Sequence, residues 1–210
     1  MKMVVFGASG GTGRELVKQG LAQGHEVTVF VRNPNAFTGG DHLRVVVGDA
    51  LNARAVVPAI AGQDAVLSAL GGGLRDDTLL PESMGYILAA MKENGVRRLI
   101  VLGASGVWPG AAKRLSSGAQ FFLRIIKSTI LKKPFRSQRA MQMRIQASDT
   151  DWTVVQPPRL VNKPGTGKIR VDGEALPANG TTIARADVAT FMLAQLTSRE
   201  WVRKSPFLAW

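Results

Sequence analysis

The strongest chemical signal in the sequence is the run Gly7-Ala8-Ser9-Gly10-Gly11-Thr12-Gly13. It follows an apolar stretch, Lys2 to Phe6, and precedes a segment in which Leu16, Val17, Gly20 and Leu21 recur at helical spacing. A glycine loop between a strand and a helix can cradle phosphate groups. Gly7 permits the tight turn, Gly10 leaves the backbone open to a pyrophosphate, and Gly13 lets the helix pack closely on the sheet. Ser9, Gly11 and Thr12 complete the cradle, because the free amides at the helix start face the anion.

Three further places suit the rest of a dinucleotide. The second apolar run ends in Val31-Arg32-Asn33-Pro34, with no acid where a carboxylate would hold a ribose 2′-hydroxyl. A guanidinium there pairs with a 2′-phosphate, so Arg32 argues for NADP over NAD. Asp49, with Ala50 beside it, follows Val45-Val46-Val47-Gly48; a carboxylate there can meet an adenine amino group or cap the next helix. Leu70, Gly71, Gly72 and Gly73 follow the fourth apolar run, where small residues give riboses close passage. Ser105, in Gly103-Ala104-Ser105-Gly106 after the fifth run, is placed to hydrogen-bond a carboxamide or a substrate, or to serve as a plain turn serine.

These residues need a parallel sheet to bring them to one edge. Lys2 to Phe6, Glu26 to Val31, Leu43 to Val47, Ala65 to Ala69, Arg98 to Leu102 and Trp152 to Val155 read as short buried strands. Helical patterns alternate with them: one stopping at Gly24, one starting near Ala53, one from Glu82 to Asn94, one from Arg136 to Ala147 after Pro134, and one from Arg185 to Leu196. Order between Gln156 and Gly180 is obscured by prolines and glycines. The expected fold is α/β, a doubly wound, mostly parallel Rossmann-type sheet with a small C-terminal substrate-covering region. A single domain is expected over 1–210, with 1–110 mainly for cofactor and 111–210 mainly for the substrate pocket and its cover.

Composition narrows the chemistry. The chain has 210 residues and no cysteine, which excludes disulfides, thiolate catalysis and cysteine zinc sites. Two histidines, His25 and His42, exclude a histidine-rich metal site, so no metal is expected. No apolar run reaches the ~18 residues of a membrane span, and a cytoplasmic protein is expected. The formal charge of +12 is uneven: eleven Lys and Arg and no acid lie between Asn94 and Ser148. Phe121-Phe122-Leu123-Arg124-Ile125-Ile126-Lys127 lies within that stretch. It reads as a core-packed helix with a solvated basic face, with weak anionic-surface contact through 113–144 or cations roofing a substrate site as the other readings. No specific nucleic acid is expected. Gly165-Thr166-Gly167-Lys168 lacks the first glycine of a P-loop.

In combination, VVFGASGGTG at 4–13, GHEVTVFVRNP at 24–34, VVVGDAL at 45–51, AGQDAVLSALG at 61–71, Ser105, and DWTVVQPPRL at 151–160 resemble a family. The chain is similar to the atypical, NmrA-like short-chain dehydrogenase/reductase proteins, and within them to the flavin reductase/biliverdin-IXβ reductase type. The GxxGxxG spacing of Gly7, Gly10 and Gly13 belongs to that superfamily. The resemblance implies a Rossmann domain binding NADP through Gly7 to Gly13, Arg32, Asp49 and Pro157. It also implies a substrate over the nicotinamide near Ser105, Trp108 and Pro158. Two departures concern the substrate. Arg159 stands where the flavin reductase type has a His after the paired prolines, and 111–146 matches that type poorly.

The usual acid of the superfamily, a Tyr four residues before a Lys, is absent: the only tyrosine is Tyr86, followed at plus four by Ala90. An acceptor that water can protonate is therefore expected, such as a flavin, quinone or tetrapyrrole reduced by NADPH. Ser105 would orient, while Arg159, Lys113 and Arg124 would attract an anionic acceptor. The alternative is a non-catalytic NADP-sensing regulatory protein of the NmrA-like type. A monomer or small homo-oligomer acting on a small-molecule acceptor completes the expectation.

Overall fold

The computed structural model describes residues 1–72, 78–105 and 132–210. Six strands form one sheet: β1 (Lys2–Phe6), β2 (Glu26–Val31), β3 (Leu43–Val47), β4 (Ala65–Ser68), β5 (Arg98–Leu102) and β6 (Asp151–Val155). All five pairings are parallel, in the order β3-β2-β1-β4-β5-β6. Helices α1 (Gly11–Ala22), α2 (Ala53–Ile60), α3 (Leu79–Glu93), α4 (Lys132–Gln146) and α5 (Arg185–Ala194) cover it. The doubly wound sheet expected from the sequence is the fold observed.

Alternation along each strand feeds two cores. On β1, Val4 and Phe6 join α2, α3 and α4 on one face, while Met3 and Val5 join α1 and α5 on the other. All four are fully buried, which explains why β1 reads as a continuous apolar run rather than an alternating one. Each such side chain contributes roughly 1.5–3 kcal/mol by leaving water. Arg98 of β5 ties the layers together. Its guanidinium donates to the carbonyls of Asp151 and Gln195 and to Thr153 Oγ1. Burial lowers Arg98 to about 10, so it stays cationic at neutral pH.

Boundaries moved where tertiary contacts outweigh local signals. α3 begins three residues before Glu82, and α4 begins at Lys132, with Pro134 in its first turn, where a missing amide costs nothing. Beyond β6 the chain adds β7 (Arg159–Val161), β8 (Arg170–Asp172), β9 (Thr182–Ala184) and β10 (Phe207–Ala209). β7 pairs with β9 in parallel and β8 with β10 antiparallel, giving two small sheets that the broken pattern of this region did not reveal. Among the described residues no helix is long and apolar enough to cross a membrane.

Candidate functional site

In a parallel sheet whose strand order reverses, the loops leaving the two strands at the reversal diverge and open a crevice beyond their carboxyl ends. Here those strands are β1 and β4. Gly7 leaves β1 with φ 76°, in the left-handed region, and a Cβ on it would lie 2.6 Å from the Ala69 carbonyl. Gly13 has no room either, because a Cβ would strike the Gly7 carbonyl oxygen and lie 2.7 Å from Ala8 Cα. These two glycines are set by packing. Gly10 differs: among the described residues a Cβ there meets only Gly7 O, at 3.3 Å, so the space beside it is open to a ligand. Gly10 is also the N-cap of α1 with no side-chain cap, and no acid lies in the first turn. The unpaired amides at Gly11, Thr12 and Gly13 are thus left for an anion.

A cavity of about 210 Å³ opens beside this loop, lined by Gly7, Ser9, Gly10, Arg32, Asp49, Ala50, Leu70 and Gly71 together with Phe30, Val31, Gly48, Ala69 and Leu79. The first eight are residues picked out in the sequence, drawn from the loops after β1, β2, β3 and β4. It is smaller than the roughly 300–1,000 Å³ of whole ligand clefts, so it takes only part of a dinucleotide. Arg32 is exposed on its rim and makes no hydrogen bond or ion pair among the described residues. Asp49 accepts from Leu51 N through Oδ1 at 2.9 Å, while the cap of α2 is Asn52, accepting from Arg54 N at 3.1 Å. The capping reading of Asp49 therefore falls to Asn52, and Asp49 faces the cavity. Gly72 lies apart from the lining, and a Cβ on it would lie 3.2 Å from Leu80 Cδ1.

At the ends of β5 and β6 the structure joins two further predicted residues: Ser105 N donates to Pro157 O at 3.0 Å. Ser105 and Pro157 are buried, Pro158 is half-buried, and Arg159 is exposed at the start of β7. Gln156 is fully buried beneath Gly103, where a Cβ would lie 3.0 Å from Gln156 Oε1, and neither side-chain atom has a partner among the described residues. Trp108, Arg124, Lys113, Gly73 and the run 121–127 lie outside the described residues.

The remaining titratable candidates sit elsewhere. Tyr86 lies seven residues after Leu79 on α3, about 10 Å along the helix from the cavity. His25 contacts the N-terminal ammonium, and burial and that charge hold its pKa below the usual value. His42 lines a cavity of about 390 Å³ with Lys2, Glu26 and Arg44, at the opposite, amino-terminal edge of the sheet. Among the described residues no cluster of His, Asp and Glu suits a metal ion.

Sequence reasoning passed over Phe30, Val31 and Gly48, although the last residues of β2 and the residue after β3 had to reach the same edge. For Leu79 no signal existed, since the start of α3 was not legible. The sequence marks Arg185 only as a helix start, yet its stem lies against Gly11, where a Cβ would fall 2.6 Å from Arg185 Cδ.

The family described as NAD(P)H-binding matches residues 7–199. The uncharacterized protein YwnB of Bacillus subtilis is 28% identical over 212 residues, covering 95% of this chain and 94% of its own. Among solved structures, a short-chain dehydrogenase/reductase of Veillonella parvula in complex with NADP shares the fold with a TM-score of 0.81 at 16% identity, covering 100% of this chain and 94% of that one. The anaerobillin reductase ChuY of Escherichia coli O157:H7 gives 0.80 at 21%, covering 100% and 97%. The glycine loop, the crevice at the strand reversal and a family match spanning most of the sequence lead to one conclusion: the chain belongs to the NAD(P)H-binding family of Rossmann proteins.

Proposed function

We propose that the chain is an NADPH-dependent reductase whose acceptor is a planar conjugated molecule such as a flavin, quinone or tetrapyrrole. The carrying observation is the polar inventory at the carboxyl ends of β5 and β6. It offers the hydroxyl of Ser105, the neutral amide of Gln156 and the Pro157-Pro158 pair. Among the described residues it offers no tyrosine, histidine or carboxyl group.

The residues fit the cofactor at three points. The open space over Gly10 suits the diphosphate, the unpartnered Arg32 suits the 2′-phosphate, and Asp49 suits the adenine amino group. Bound nicotinamide would supply a hydride. Ser105 and the Pro157 backbone would then orient the ring face, with the buried Gln156 side chain lying under Gly103. Hydride arriving on a conjugated ring leaves an anion spread over several atoms, which a water proton neutralises without help from a side chain. A ketone would instead leave a localised alkoxide, and among the described residues no tyrosine or histidine stands here to protonate it. Shared fold with an anaerobillin reductase supports keeping tetrapyrroles in the acceptor class.

The missing Tyr-Lys couple equally favours a dinucleotide sensor that binds without turnover. Steady-state oxidation of NADPH with flavin mononucleotide, a quinone and biliverdin separates the two. Turnover with any of them supports the reductase; tight NADPH binding with no turnover refutes it and leaves the sensor.

A further inference from the structure

Arg185 and Asn162 emerge side by side from the same end of the small parallel sheet. β7 ends at Val161 and β9 at Ala184, and Val161 pairs with Ala184 in register, so the next residue of each strand, Asn162 and Arg185, is a neighbour. Arg185 Nη1 donates to Asn162 Oδ1 at 2.7 Å. The Arg185 stem crosses the first residue of α1, close enough that a Cβ on Gly11 would lie 2.7 Å from Nε and 3.5 Å from the guanidinium carbon. The arginine side chain thus lies directly over Gly11.

The placement is held from both sides. Across the helix pair, Gln19 of α1 donates to Ala186 O at 3.0 Å and accepts from Thr190 Oγ1 at 2.8 Å. On the other side, Asp187 is buried and accepts from Thr166 N at 2.9 Å, Gly167 N at 3.0 Å and Trp210 Nε1 at 2.6 Å. With its carboxylate so engaged, Asp187 is not available to neutralise Arg185, and no other carboxylate pairs with it among the described residues. A guanidinium is thus fixed at the amino end of a helix, where the local field is already positive. Like charges are costly there unless an anion joins them.

Arg185 does not line the cavity that holds Arg32 and Asp49. It touches the loop at Gly11, one residue beyond the Gly10 that does. We infer that Arg185 is a second phosphate ligand of the dinucleotide, clamping the diphosphate at the phosphate nearer the nicotinamide, with Asn162 holding the fork in place. The inference rests on the placement of the diphosphate over Gly10 given above.

The test is calorimetric titration of NADP⁺ and of 2′,5′-ADP, which lacks the nicotinamide-side phosphate, into the parent protein and into Arg185→Gln. NADP⁺ should weaken about 10- to 100-fold and 2′,5′-ADP less than about threefold, as expected for loss of one charge-assisted contact. The NADP⁺ affinity of the variant should also fall less steeply with added salt, which a merely structural role would not produce. Arg185→Lys keeps the charge without the fork and should bind NADP⁺ between the two. If Arg185→Gln does not fold, Asn162→Ala, which releases the fork from its partner, should weaken NADP⁺ more than 2′,5′-ADP. Unchanged NADP⁺ affinity in a folded variant, or equal loss for both ligands, overturns the role of Arg185 while leaving the cofactor site standing. A parent protein that binds neither ligand overturns both.

Discussion

Substitution at Gly10 and at Gly13 should have opposite consequences, though both lie in one seven-residue loop. Gly10 has φ −74° and ψ 167°, extended backbone open to any residue, and a Cβ there meets only Gly7 O at 3.3 Å. The structural cost of Gly10→Val is then that of a poor helix cap, about 1 kcal/mol, or a fall of about 2–4 °C in melting temperature for a chain this size. Its cost to binding is larger, since a branched side chain would occupy the place of the diphosphate. NADP⁺ affinity should drop at least ~100-fold, equivalent to about 2.7 kcal/mol. Gly13→Ala reverses the balance. Its Cβ would strike Gly7 O and sit 2.8 Å from Ala8 O, backbone atoms that cannot turn aside. Overpacking of this kind costs about 1–3 kcal/mol and would spread to the seam between α1 and β1. Thermal melts with and without NADP⁺, together with calorimetry, read both quantities. If Gly10→Val binds NADP⁺ as the parent does, the loop is only a turn. If it melts as early as Gly13→Ala, Gly10 is set by packing, as Gly13 is.

Arg32→Asp should reverse a preference for NADPH over NADH, with a change of about 2–4 kcal/mol from a lost charge-assisted contact and added repulsion; the exposed position of Arg32 puts the effect toward the lower end and makes it shrink with salt. Equal parent affinities for the two cofactors would refute that assignment. Ser105→Ala should lower flavin turnover ~10- to 100-fold, the loss of a positioning contact worth ~1.4–2.7 kcal/mol, while Tyr86→Phe should leave turnover unchanged. Fast aldehyde reduction with strong dependence on Tyr86 would defeat the proposed reaction. Stability should depend on Asp187 in a defined pH window. Burial alone would raise its pKa, but bonds from Thr166, Trp210 and Gly167 prevail and hold it below the usual carboxylate value. A depressed folded pKa stabilises above the unfolded value, near 3.9, and that stabilisation is lost as pH falls through the folded value. Asp187→Asn should therefore melt earlier than the parent at neutral pH, with the gap closing in acid; a gap constant from pH 7 to pH 2 would contradict the sign.

The glycine loop and the central strands were legible because their signals are local. A loop such as Gly7 to Gly13 is specified by backbone conformation and close approach, which only glycine supplies. Strands such as β1, buried on both faces, announce themselves as unbroken apolar runs, whereas β3, expected to be buried, is an edge strand with Val47 exposed; the order of the strands along the chain implies a shared edge for Arg32, Asp49 and Leu70. What the sequence left open was decided by pairings between distant segments. Whether Asp49 caps a helix or faces a cavity turned on Asn52, three residues away, taking the cap. Nothing in the sequence near Arg185 or Asp187 indicates that the first meets Asn162 and the glycine loop and the second the 166–167 turn and Trp210. Those contacts exist because β7 and β9 pair in parallel and α5 packs on α1. Composition and spacing identify the ligand class through rules that act over a few residues. The contacts of Arg185 and Asp187 are made by long-range packing, whose register no short window of sequence encodes.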